Sequence, residues 1–61
     1  MIKLGHYYKN KNTYVFITAQ SSGVFIGCTQ DDKFISIKKT ETKWEEITKE
    51  EYYNHKKEKK S

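Results

Sequence analysis

The sequence predicts a mainly β domain: about five short strands wound as a small meandering barrel or sandwich, with a short helix after them. Three observations carry that expectation. Nearly all the aliphatic residues lie between Tyr14 and Ile47, in short patterned runs. Polar, turn-prone clusters separate those runs at intervals of about 8–10 residues, the spacing of small all-β domains. The segment after the last run, Thr48-Lys49-Glu50-Glu51, has the form of a helix capping box.

The first element is a short edge strand over His6–Lys9, followed by the turn-prone Asn10-Lys11-Asn12. In the next run, Tyr14, Phe16 and Thr18 point to one face of a strand, and Val15, Ile17 and Ala19 to the other. Both faces are apolar, as in a strongly curved barrel strand or one held between layers. Four β-branched residues between Thr13 and Thr18 argue against a helix here. Gln20-Ser21-Ser22-Gly23 reads as a hairpin loop, with Gly23 free to take a positive φ. Val24–Thr29 puts Val24, Ile26 and Cys28 on one face and Phe25 on the other, where Gly27 leaves a gap. A strand glycine of this kind marks a bulge or a tight bend.

Gln30-Asp31-Asp32 turns the chain again, and Lys33–Lys38 then alternates Ile35 and Ile37 against Phe34 and Ser36. Lys39-Thr40-Glu41-Thr42 ends that strand, and Lys43–Ile47 is the last one. With Thr48 as N-cap and Glu51 three residues on, a helix is expected from Lys49 to about Lys57, its two glutamates well placed in the first turn. The hairpin 13–28, with Ile35 and Ile37 across from it, is expected to be the whole core. One domain is expected over residues 1–55, with 56–61 as a flexible lysine-rich tail.

Composition narrows the function. A chain of 61 residues has room for one core and a thin stability margin. Its net charge is +4, and every cation counted is a lysine. Residues 1–40 carry six lysines against Asp31 and Asp32, whereas residues 41–61 carry six lysines against six glutamates. The net positive charge therefore belongs to the front part. Exclusive use of lysine also fits an AT-rich coding sequence. No apolar run reaches the roughly 18 residues needed to cross a bilayer, and the N-terminal residues lack an apolar signal-peptide core. Cys28 is the only cysteine and lies among apolar residues, so a buried thiol in a cytoplasmic protein is expected.

Gly5-His6-Tyr7-Tyr8-Lys9-Asn10-Lys11, then Tyr14-Val15-Phe16 and the late Trp44, resemble the pattern of small bacterial and phage domains with an SH3-like barrel. Those domains have a G-x-Y-Y/F-x-H/N-K opening strand, a Y-x-V strand, and an aromatic ahead of a short terminal helix. The likeness covers about two thirds of the chain. It implies a five-stranded SH3-like barrel with a C-terminal helix and a binding role, and it implies no reaction.

Tyr7 and Tyr8 stand beside Lys9 and Lys11, which reads either as a base-stacking surface with phosphate-tracking lysines or as an aromatic groove for a peptide. The plainer alternative sends one tyrosine of the pair to the core and leaves the other shielding its edge. Lys33, Lys38 and Lys39 extend a basic face, or simply guard a strand edge against aggregation. Without arginine, nucleic-acid binding would be phosphate-led and salt-dependent. Glu45, Glu46, Glu50 and Glu51 form an acidic patch suited to a basic protein surface. His6, Cys28 and His55 have no metal-ligand spacing, and no cofactor is expected. No nucleophile is placed beside a base, and so small a chain has little room for a pocket of about 300 Å³.

The expectation is thus a non-enzymatic, phage-type binding module that docks on or inhibits a host protein. Tyr7, Tyr8 and Trp44 form its contact surface, with Glu45, Glu46 and Glu50 as steering charges. The alternative is sequence-tolerant nucleic-acid binding through Lys9, Lys11, Lys33, Lys38 and Lys39. Homodimerisation through edge strands or exposed aromatics is compatible with either, and no membrane role is expected.

Overall fold

Alternation in the apolar runs becomes five antiparallel strands in the computed structural model, which describes residues 2–56. They are β1 (Tyr7–Asn10), β2 (Thr13–Ser21), β3 (Val24–Thr29), β4 (Phe34–Lys38) and β5 (Glu45–Ile47), followed by helix α1 (Lys49–Lys56). All five lie in one sheet of order β4-β3-β2-β1-β5. The sheet is unclosed, with β4 and β5 as its edges. The opening strand, expected at an edge, is instead held between β2 and β5, because the last strand returns to pair Ile47, Glu46 and Glu45 with Tyr7, Tyr8 and Lys9.

Side chains from four strands, Tyr8, Val15, Ile17, Phe25 and Ile37, meet in one buried cluster with Ile2, which requires the sheet to curl around its inner face. Ile35 and Trp44 pack against that cluster. Two local features permit the curl. Register slips between Ile17 and Ala19, so Thr18 is an extra residue in β2, and its hydroxyl donates to Ile26 O at 3.3 Å. The bulge expected at Gly27 therefore lies one strand away. Gly27 serves the curl differently, by leaving room for its neighbours. A Cβ built there would collide with Val15 Cγ2 and stand 3.4 Å from Ile17 Cδ1. The gap left by the glycine is occupied by Val15 from the neighbouring strand.

The core is larger than the hairpin and two isoleucines. The N-terminal segment folds over the sheet end, where Gly5 N–H donates to Ile17 O at 2.9 Å and Ile17 N–H donates to His6 O at 3.0 Å. Gly5 sits at φ 82°, which reverses the chain and brings Ile2 into the cluster. Of the expected turns, Gly23 does take a positive φ of 80°, while Lys11 and Asp32 adopt φ 58° and 64° without glycine's freedom.

The outer face carries a second layer. Ile47, Tyr7, Phe16, Cys28 and Phe34 are register partners across all five strands. Helix α1 covers the middle of that row. Tyr7 stacks on Phe16 at 4.7 Å between ring centroids, and Tyr52 stands 5.1 Å from Tyr7. Tyr52 is buried, and its hydroxyl donates to Cys28 O at 2.9 Å. Tyr14 stacks on His55 with centroids 4.0 Å apart. The helix begins as its sequence requires, with Thr48 Oγ1 accepting the Glu51 N–H at 3.1 Å. Lys56 ends the helix, one residue short of the expected end near Lys57, and is anchored by Asp32 Oδ1. The tail beyond it, 57–61, lies outside the described residues.

Two stability predictions arise from these contacts. Gly27→Ala drives a methyl group into Val15 and should lower unfolding free energy by about 1–3 kcal/mol in urea titrations. In a Val15→Ala background the same change should cost less, so the double variant falls short of the sum of the singles. Burial pushes the Tyr52 phenol up to about 12 from its ordinary 10.0, so the folded state holds the neutral form. That contribution is intact below the ordinary value and is lost as pH rises towards 12. Denaturant melts along an alkaline series should show wild type losing more stability than Tyr52→Phe, which starts about 1 kcal/mol lower for want of its hydrogen bond.

Candidate binding groove

Because β4 and β5 do not pair, the inner face stays open between them, and the connection 39–44 crosses the gap. Two adjoining hollows result. The larger, about 440 Å³, is bounded by Ile2, Tyr8 and Trp44 and by the connection residues Lys39 to Thr42. The smaller, about 220 Å³, lies between Ile2, Gln20, Phe25 and Lys39. Ile2 and Lys39 belong to both, so the two read as one groove with a waist. It exceeds what the chain length led us to expect, since an unclosed sheet leaves its end unfilled by side chains.

The aromatic walls are polar-satisfied from within the protein. Tyr8 is 2% exposed, and its hydroxyl oxygen accepts the Lys3 N–H at 2.8 Å. Burial raises its phenol above the ordinary value. The Trp44 indole N–H donates to Glu41 Oε1 at 2.9 Å, while Glu41 Oε2 accepts the Lys38 N–H at 3.2 Å. The Glu41 N–H returns to Lys38 O at 3.0 Å, closing a tight turn. These bonds, that from Trp44 first, hold the Glu41 carboxyl below the ordinary carboxylate range. The indole donor of Trp44 is thus engaged within the protein, and the Tyr8 hydroxyl is tied to the N-terminal segment.

The expected contact residues are dispersed. Tyr7 is on the outer face beneath α1, where burial and the Tyr53 hydroxyl raise its phenol. Tyr8 is a core residue, so its ring supplies a wall instead of an exposed contact. This corrects the expectation of one exposed face shared by Tyr7, Tyr8 and Trp44: neighbours along a strand point to opposite faces. Trp44 alone of the three is a half-buried groove residue. Glu46 accepts the Nδ1 proton of His6 at 2.7 Å, which lowers its carboxyl. Glu45 faces Lys9 across the ladder, and Glu50 is exposed in the first turn of α1.

The lysines are dispersed too. Lys11 occupies the β1–β2 turn, which Gln30 ties to the β3–β4 turn by donating to Asn12 O, and Lys33 lies just beyond. Lys38 and Lys39 lie at the far end of β4, roughly 16 Å along the strand. Among the described residues no three His, Cys, Asp or Glu side chains are grouped as metal ligands, and no helix is long and apolar enough to cross a membrane.

Ile2, Phe25 and Glu41 were missed as site residues. Glu41-x-x-Trp44 spacing is legible in the sequence, but nothing there says that Ile2 meets them. No protein family, no curated protein and no solved structure matches this chain.

The Glu41 tether is testable because Trp44 is the only tryptophan. A carboxyl held low in the folded state contributes stability above its ordinary value of 4.5 and loses it as pH falls through the depressed value. Trp44 emission should shift on acidification below 4.5 in wild type. Glu41→Gln should remove that acid step, while emission near neutral pH stays close to wild type.

Proposed function

We propose that this chain is a non-enzymatic binding module that takes a segment of a protein partner in the groove of its inner face. The observation that carries the reading is the pair of adjoining hollows that share Ile2 and Lys39, floored by the buried Ile2, Tyr8 and Phe25 and walled by the half-buried Trp44. We also propose that the sheet is an SH3-like barrel left open between β4 and β5. The return of β5 to β1, the curl around one inner cluster and the terminal helix support that reading.

A second reading, sequence-tolerant nucleic-acid binding, is favoured by one feature: Phe34 is 69% exposed on the β4 edge between Lys33 and Lys38. An exposed ring on a strand that carries lysines is a stacking platform for an unpaired base. The spread of Lys9, Lys11, Lys33, Lys38 and Lys39 over both ends of the sheet leaves it the weaker of the two.

Panning a display library of random peptides against the immobilised full chain separates them. Peptides should enrich on wild type and lose binding to Thr42→Trp, a change at an exposed wall position that fills the groove. No enrichment, or equal binding to the filled variant, removes the docking reading. Fluorescence anisotropy with a labelled single-stranded oligonucleotide at low salt tests the other, which requires binding with a steep salt slope that Phe34→Ala abolishes.

A further inference from the structure

Lys39 holds the waist of the groove. Its N–H donates to Gly23 O at 3.1 Å, which fixes the start of the connection, but its ammonium has no ion-pair partner among the described residues. The carboxylate on the groove wall is turned to other partners. Glu41 has one oxygen on the Trp44 indole and the other on the Lys38 N–H, and Lys43 Nζ lies 4.0 Å from the first. A cation without an ion-pair partner among the described residues is therefore set between the two hollows, beside a carboxylate and an indole that are bonded to each other.

We infer that the groove recognises an extended peptide segment in which an apolar side chain stands next to a carboxylate. The apolar side chain fills the larger hollow against Tyr8 and Trp44, and the carboxylate takes a charge-assisted hydrogen bond from the Lys39 ammonium. This rests on the docking reading and adds the chemistry of the ligand. A partner with a basic residue at that point would be repelled, so Lys39 sets specificity and encounter rate more than raw affinity.

The backbone favours a peptide over a fatty acid, the other molecule that joins a carboxylate to apolar groups. The Thr29 N–H bonds Lys33 O, and the Lys39 N–H bonds Gly23 O. Antiparallel alternation between those two points turns the backbone groups of Ile35 and Ile37 towards β3 and those of Phe34 and Ser36 away from it. The free edge of β4 can thus accept main-chain hydrogen bonds from a strand-like ligand. Glu41 caps that edge at the Lys38 N–H, so the paired stretch stops where Lys39 begins. Lys39, Thr40 and Thr42 are exposed, and a long acyl chain lying beside them would remain wet.

The peptides enriched by panning, synthesised singly and titrated against Trp44 emission, test the assignment. Enriched sequences should share an Asp, a Glu or a free C-terminal carboxylate adjacent to an apolar residue. Lys39→Glu should weaken the best of them by at least roughly tenfold, whereas Lys33→Glu, an equal change in net charge at the other end of β4, should alter it by less than about twofold. Replacing the peptide's acid with its amide should also weaken binding to wild type, by less than Lys39→Glu does because no like charges are then opposed, and should leave wild type and Lys39→Glu with similar affinity for the amide. Enrichment of sequences lacking the carboxylate, or unchanged binding to Lys39→Glu, overturns the assignment and leaves the docking reading standing. Absence of any enriched peptide removes both. Saturable displacement of Trp44 emission by decanoate with no peptide able to compete would overturn it in favour of a lipid ligand.

Discussion

Val15 lies in the space over Gly27, and the form of the inner face depends on that contact. Any side chain at position 27 would hold β2 and β3 apart where Val15 and Ile17 need to converge, and both of these residues have no solvent exposure. The Thr18 bulge adds local twist to the same strand just beyond the contact. Together they let one sheet wrap its own core, with Tyr8 at one flank and Ile37 at the other. A 61-residue chain has no second sheet to spare, so the cover must come from curl and from the short pieces at the ends, Ile2 and Trp44.

The two faces of the sheet are closed by different means. Outside, the helix lays Tyr52 and Tyr53 against Tyr7, and it is fixed at both ends, by the Thr48 cap and by the Lys56–Asp32 pair. Hydrogen bonding from Tyr52 to the β3 backbone ties the layers together. Inside, nothing so long is at hand, and the connection 39–44 spans the gap with one indole and a turn. The groove is what that thinner cover leaves open. Its electrostatics come from the same economy, because Glu41 holds the turn and Trp44, and Lys39 beside it has no ion-pair partner among the described residues.

Much of this was legible in the residues. Alternation between Val15 and Tyr14, or Ile37 and Ser36, assigned faces correctly, since side-chain direction in a strand is a local property. The Thr48 cap was equally local, needing only a hydroxyl three residues ahead of an amide. The site was harder to read. Tyr7 and Tyr8 look alike in sequence, and only the pleat makes one an outer-layer ring and the other a wall of the groove. The five lysines nominated together are distributed by the sheet over both of its ends.

Sequence by itself thus determined the strands, their faces, the turn that needs a positive φ at Gly23, and the start of the helix, because each is set by neighbours within a few residues. Tertiary structure decided where β5 would pair, that Val15 would fill the place of a missing side chain at Gly27, and that Ile2, Trp44 and Lys39 would border one groove. These are meetings of residues tens of positions apart. They follow from how a curled sheet closes in space, and no local pattern encodes the closure.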